Sequence, residues 1–316
     1  MVQMPRQEVW KLQYRDDPYL RHLPNADLLT RAGDLVAASL VHTPEGLIGL
    51  RPMESDLSAI ERFAHVLEEL AIRGLDYKQE PVRDALQVPK PDSVRAALKR
   101  LAARKLPEQI LVKFGRREHM SALFLEGKGR ISPASYYSDP SLGRARADNE
   151  ARVTAYVHPL DAHRYFGVQH TADGGSAAVD VPVPCLGSTP IEITATTDFY
   201  VYCMASTCDA RMFVDFDHTC VVIKDTSAFI DCLRDDVASV LPDWQFVAAP
   251  VEYFDPFFAR PHQLTAQVSK HFRYEYQKEF RLLWVPPSQE EAEKWAWEHI
   301  EFQLGPLTRY SELIWL

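Results

Sequence analysis

Residues 274–284 read YEYQKEFRLLW. Aromatic, charged and apolar residues alternate along this stretch with the two-residue period of a β-strand. A strand here turns Glu275, Gln277 and Glu279 to one face. Alternate polar residues mark a half-exposed antiparallel strand, with Glu275, Lys278 and Arg281 as cross-strand ion pairs. They equally mark the wall of a site. A late strand of this kind calls for a mainly antiparallel α+β domain around it.

The segments before it fit that domain. QILVKFG (109–115) reads as a strand, REHMSALFLEG (117–127) as a helix, and KGRISPASYY (128–137) as a strand with a turn, together a strand–helix–strand unit. TADGGSAAVDVPVPCLGSTP (171–190) carries hairpin signals. IEITATTDFYVYCMAS (191–206) reads as a strand pair, DHTCVVIKD (217–225) as a strand, and TSAFIDCLRDDVASVL (226–241) as a helix capped by Thr226 or Ser227. FVAAPVEYFD (246–255) adds a further strand. Ser288 followed by Glu291 forms a capping box for a helix, in competition with a strand near HIEFQL (299–304).

The first third has a different texture. Leu57, Ile60, Phe63, Ala64, Leu67, Leu70 and Ala71 recur at three- and four-residue spacing, with Ser55 as a possible cap and Gly74 as a stop. A second helix follows Asp92 or Ser93 and ends before Pro107. Residues 1–106 therefore read as a helical N-terminal subdomain, and residues 107–316 as the α+β domain.

Composition narrows the function. The chain has 316 residues and a formal net charge of −9, which argues against a protein that coats nucleic acid with its whole surface. Yet residues 95–152 hold thirteen Lys or Arg against six Asp or Glu, a local +7 that leaves −16 for the rest. Such a band suits a phosphate-bearing ligand. The five cysteines match no zinc spacing, and reduced thiols point to the cytoplasm. The N-terminus lacks a signal-peptide core, and no apolar run reaches the roughly 18 residues of a membrane span. Dinucleotide-fold, P-loop, nucleophile-elbow and HExxH motifs are missing.

Three elements remain as a candidate site: Lys113 to Tyr137, the FYVYCMAS strand with Ser206, and Gln277-Lys278-Glu279. Together they resemble the ADP-ribosyltransferase superfamily, in which a split antiparallel β-sheet cradles NAD. The chain is also similar to an uncharacterised bacterial family with an SP element, a CxS-like strand and a late E-x-E-x-R, whose members look like defence or toxin components. The resemblance spans residues 110–285.

It implies an enzyme that takes NAD as substrate and modifies a macromolecular acceptor, RNA, DNA or protein, as a toxin or antiphage effector. An antitoxin or regulatory partner is possible on this reading, and no membrane is involved. Glu279 would stabilise the oxocarbenium-like transition state, and Gln277 would orient the acceptor. Lys113, Arg130 or Arg144 would hold the pyrophosphate. Tyr136 or Tyr137 would stack on nicotinamide, and Ser132 and Ser206 would complete the NAD site. No protein-bound metal is expected. Two other readings stand beside it. One is a metal-dependent nuclease using Asp148, Glu150, Glu275 and Lys278; the other is a non-catalytic module that binds a phosphorylated ligand or a partner.

Overall fold

The computed structural model describes residues 4–42, 48–50, 57–75, 79, 92–102, 104–142, 149–159, 161, 167–172, 176–182 and 187–315. Among them an eight-stranded sheet organises the last two thirds of the chain. We number its strands β1 (Leu111–Gly115), β2 (Lys128–Pro133), β3 (Tyr200–Ala205), β4 (Thr219–Ile223), β5 (Gln245–Pro250), β6 (Glu279–Val285), β7 (Ile300–Gln303) and β8 (Ser311–Trp315). Their order is β5–β6–β3–β1–β4–β8, with β2 joining β3 to β7, and every pairing is antiparallel. The protein is α+β with a mainly antiparallel sheet.

The sheet is divided along one edge of β3. β1 meets β3 only at Val112–Ala205, while β2 meets it at Ser132–Val201 and Pro133–Tyr200. The two strands diverge between these points. Lys113 enters the gap: its Nζ donates to the Cys203 carbonyl at 2.6 Å and sits 4.1 Å from the Tyr202 ring centroid. An ammonium thus takes up a carbonyl that no strand partner reaches, which a buried backbone acceptor requires.

Strand alternation separates two sides. Tyr200, Tyr202 and Met204 of β3 and Leu282 and Trp284 of β6 join one core with Met120, Leu123, Phe229, Leu233 and Val237. These last come from helices Arg117–Glu126 and Thr226–Ala238. Gly127, at φ +69°, ends the first helix; a Cβ there would collide with the Gly305 backbone, so only glycine fits. Asp225, rather than Thr226 or Ser227, caps the second helix by accepting from the Ala228 N–H at 3.1 Å. The other side carries Val201 and Leu283 with Ala134 and Phe199.

The N-terminal helices are α1 (Arg6–Asp16), α2 (Asn25–Ser39) and α3 (Leu57–Ile72); α4 (Asp92–Ala102) packs Val94 and Ala97 near β1 and β4. Gly74 follows α3 at φ +72°, whereas Ser55 lies outside the described residues. The core of α1–α3 includes Tyr14, Leu28, Leu35, Val66 and Leu70, but also Phe272, with Phe257 against it. The helical third therefore shares apolar packing with the segment that leads into β6. The strands Gly167–Ala172 and Ser176–Pro182 form a hairpin that starts and ends earlier than the 171–190 expected. The strand pair expected in residues 191–206 does not form internally: Thr189–Thr194 pairs with Arg152–Val157, while Tyr200–Ala205 is β3 of the main sheet. Gln289–Lys294 is a short helix capped by Ser288, and HIEFQL contains β7.

Candidate functional site

The opening stretch is not one strand. Phe272–Gln277 forms a 3₁₀ helix, Lys278 takes a left-handed φ of +43°, and β6 begins only at Glu279. His271 starts the turn by accepting from the Arg273 N–H at 3.1 Å. The Ser206 N–H and Oγ both donate to the Lys278 carbonyl, at 2.7 and 2.9 Å, and fix the bend. Gln277 and Glu279 therefore do not share a strand face, as the sequence period had suggested. Local hydrogen bonds on both sides of Lys278 override the alternation. Glu275 pairs with Lys278 at 2.9 Å, the i,i+3 contact of a helical turn. Gln277 is buried beside Tyr276, to whose hydroxyl it donates at 3.4 Å.

Glu279 opens β6 on the side of the sheet opposite the main apolar core, and Arg281, two residues on, shares that side. Arg281 is fully buried. Its Nε donates to Glu279 at 2.7 Å, its Nη1 to the Gln267 carbonyl at 2.7 Å, and its Nη2 to Glu150. Lys270 donates to Glu279 at 2.8 Å and to Glu150 at 3.4 Å. Two acids and two bases, all under a tenth exposed, thus close into a neutral ring. Burial by itself would raise the Glu279 carboxyl, but Arg281 and Lys270 prevail and hold it well below the usual carboxylate range. Burial opposes the Arg281 charge as well, and Glu150 and Glu279 more than compensate.

Around the ring, Tyr253 accepts from the Glu279 N–H at 2.8 Å. Cys203 stands opposite Arg281 across the β6–β3 pair. Burial, then Glu279 and Glu150, push its thiol far up, so it stays protonated. Oxygen and sulfur atoms of Glu150, Cys203 and Glu279 lie within 4.8 Å of one another. This set does not fit a metal ion, because both carboxylates already hold Arg281 and Lys270 and the thiol keeps its proton.

A cavity of about 350 Å³ borders the ring. Glu150 and Lys270 form part of its lining; Glu279 and Gln277 do not. Its other walls come from α2, through Asp27, Arg31 and Asp34, from Arg152 to Tyr156, and from Phe257, His271 and Arg273. Tyr156 and Phe257 stack at 4.3 Å with rings nearly parallel. Arg31 is clamped by Asp255 through two bonds of 2.9 and 2.8 Å and lies 4.6 Å from the Phe257 centroid. Burial drives His271 down to about 3, so its imidazole is neutral.

The structure gathers some of the sequence candidates and separates others. Ser132 is buried, and Tyr137 approaches it and Cys203, with Glu150 and Glu279 near enough to act on the phenol. Burial first, then Cys203, Glu150 and Glu279, push the Tyr137 hydroxyl up, while its hydrogen bond with Ser132 works the other way. Lys113 is held in the sheet division. Arg130 lies 5.9 Å from the Tyr136 ring centroid, and that ring meets His299 at 4.8 Å, a group apart from the cavity lining. Ser206 serves the Lys278 bend. Arg144 and Asp148 lie outside the described residues.

Sequence reasoning missed Lys270, Arg31 and Asp255, and named Glu150 only as a nuclease carboxylate, not as a partner of Glu279. Only Glu279-x-Arg281 carried a signal, since a strand places i and i+2 on one face. Glu150 and Lys270 come from segments 129 and 9 residues away from Glu279, and no local pattern links them. No protein-family model matches the chain, and no curated protein or solved structure is significantly similar to it.

Proposed function

We propose that this chain is an NAD-consuming enzyme of ADP-ribosyltransferase type. It would transfer ADP-ribose to a nucleic acid or protein in the role of a bacterial toxin or antiphage effector. The observation that supports this most is the buried ring of Glu150, Lys270, Glu279 and Arg281, two members of which line a cavity of about 350 Å³, with Tyr137 within electrostatic reach of both carboxylates. That volume lies at the lower end of the roughly 300–1,000 Å³ range of small-molecule sites, and we assign it the nicotinamide–ribose half of NAD. Arg31, Arg152, Lys270 and Arg273 face it against Asp27, Asp34 and Glu150, a slightly positive lining that suits an anionic ligand.

In this reading the carboxylate facing ribose is Glu150, because it borders the cavity. Glu279 is the positioning residue behind it, holding Lys270 and Arg281. The nicotinamide–ribose bond breaks, nicotinamide leaves with the bonding pair, and the acceptor nucleophile bonds to the ribose carbon and gives up its proton. Glu150 stabilises the positive charge that develops between these events. The nuclease reading loses ground to the same geometry: Glu150 holds Lys270 and Arg281, and Glu275 is paired with Lys278. A non-catalytic module is the second reading, favoured by the closed ion ring.

The test is incubation of the purified protein with adenine-labelled NAD and separate pools of RNA, DNA and protein, following nicotinamide release and label transfer. Release that falls at least about a hundredfold in Glu150→Gln, measured at a temperature where the variant's circular dichroism shows it folded, is the expected result. Because Glu150→Gln also disturbs the ring, Tyr156→Ala at the cavity wall is run beside it and is expected to raise KM. Binding of NAD without turnover selects the module, and absence of both binding and turnover overturns the proposal.

A further inference from the structure

We infer that the end of the sheet formed by β1, β4 and β8, together with α4, is a docking surface for single-stranded nucleic acid. The inference deepens the proposed function by naming the acceptor class, and rests on it only for the transfer step. In residues 95–117 eight Lys or Arg stand against Glu108 alone, in a chain of net charge −9. Lys113 is held in the sheet division, but the fold gathers several of the others. Gly115, Thr219 and Trp315 lie in one row across β1, β4 and β8. Arg116 and Arg117 continue from that row, both exposed. Arg95, Lys99 and Arg100 are exposed on α4, and Arg100 donates to the Trp315 carbonyl. The Arg117 guanidinium lies 5.3 Å from the Trp315 ring centroid.

Trp315 is the centre of this surface. It is 47 % exposed on a strand at the sheet edge, an unusual place for an indole unless a partner covers it. The nearby acid of the same strand is already engaged: Glu312 holds Arg104 and also Lys224, the latter at 2.9 Å. It does not cancel Arg100 and Arg117. An exposed indole flanked by guanidinium groups and continued by a cationic helix face is what a single strand needs. Bases stack on the ring, and phosphates run along the cations. A duplex hides its base faces and offers only the second of these contacts. An anionic membrane would meet one ring, where interfacial helices bury a whole apolar stripe.

The experiment is fluorescence anisotropy of labelled 20-nucleotide single strands and of the matching duplex with the full chain, without NAD, across a salt series. Single strands are expected to bind more tightly than duplex. Arg100→Ala and Arg117→Ala should each reduce the log–log salt slope by about 0.7. Trp315→Ala should weaken single-strand binding about tenfold and leave the slope unchanged. All three side chains are exposed, so melting temperatures should stay at the parent value and separate lost contacts from lost folding. The inference is overturned if the parent binds no oligonucleotide, or if the three variants bind like the parent. It is also overturned if they lose binding to phosphatidylserine vesicles in place of oligonucleotide. Since NAD is absent throughout, binding here with no NAD turnover refutes the enzyme reading and leaves this surface standing.

Discussion

Two buried groups of charges flank the cavity, and they differ in what they join. Glu150, Lys270, Glu279 and Arg281 form a closed ring, two acids against two bases, beneath one side of the sheet. Arg31, Asp255 and Arg62 form an open group, two cations on one acid, between the N-terminal helices and the segment following β5. The ring is balanced and lies behind the cavity. The open group carries an excess cation, shares its arginine with the cavity wall, and leaves Arg31 Nε without a hydrogen-bond partner. A balanced ring fixes geometry; an unbalanced one at a cavity edge leaves a place for an anion. Neither is a cheap source of stability, since desolvation consumes most of the attraction.

The largest effect should come from the ring. Arg281→Met removes three donated hydrogen bonds and leaves Glu150 and Glu279 with Lys270 alone. We expect a loss near the top of the roughly 3–5 kcal/mol range for breaking a buried pair, read from urea melts. A loss under about 1 kcal/mol would mean that solvent reaches the ring.

Asp255→Ala comes next, because it strands Arg31, only 5 % exposed, with an expected cost of about 3 kcal/mol. Its signature should be local. Amide exchange should accelerate in α2 and α3 while β3 and β6 stay protected. Uniform acceleration would erase the distinction between the two groups.

Acid should act on both groups, in two windows. Folded Glu279 and Asp255 are held below their ordinary values. Their stabilisation is complete above the ordinary carboxylate range and is lost as pH falls through and below it. His271, lowered from 6.5 to about 3, works at higher pH. The unfolded chain takes up a proton there that the folded chain refuses, so stability declines as pH falls from 6.5 towards 3. His65, lowered chiefly by burial, adds in the same direction. The melting temperature should therefore begin to fall below pH 6.5, before the carboxylates contribute. His271→Gln should flatten that upper part; an unchanged slope would assign it to His65 or to other groups.

The smallest of these effects lies far from both groups. Ser288 accepts from the Glu291 N–H at 3.2 Å, and Ser288→Ala should cost about 1 kcal/mol with no change in ligand binding. Any effect on binding would tie the helix it caps to the site.

Much of the fold was legible because its signals are local. The period of α3, the glycine stops at Gly74 and Gly127, the Ser288 cap and the apolar runs of β3 and β4 each follow from neighbours within a few residues. The stretch read wrongly at the site, Tyr274 to Gln277, has a strand-like alternation defeated by specific bonds. His271 caps the turn, and Ser206, 72 residues from Lys278, holds the bend. In the site, Glu279 and Arg281 stood out in the sequence, but Lys270 did not, and Glu150 was not linked to them.

The amino-acid sequence by itself determined an antiparallel α+β protein with a helical first third, a basic band in an acidic chain and a charged residue pair at the start of a late strand. It did so because hydrophobic period, capping and charge density are properties of contiguous residues. Tertiary structure alone decided that Glu279 is neutralised by Lys270 and Arg281, that Glu150 borders the cavity, and that Arg100 and Arg117 meet at Trp315. Each of these pairings depends on which strands lie side by side, and a buried charge takes its character from whatever the fold places within a few ångströms of it.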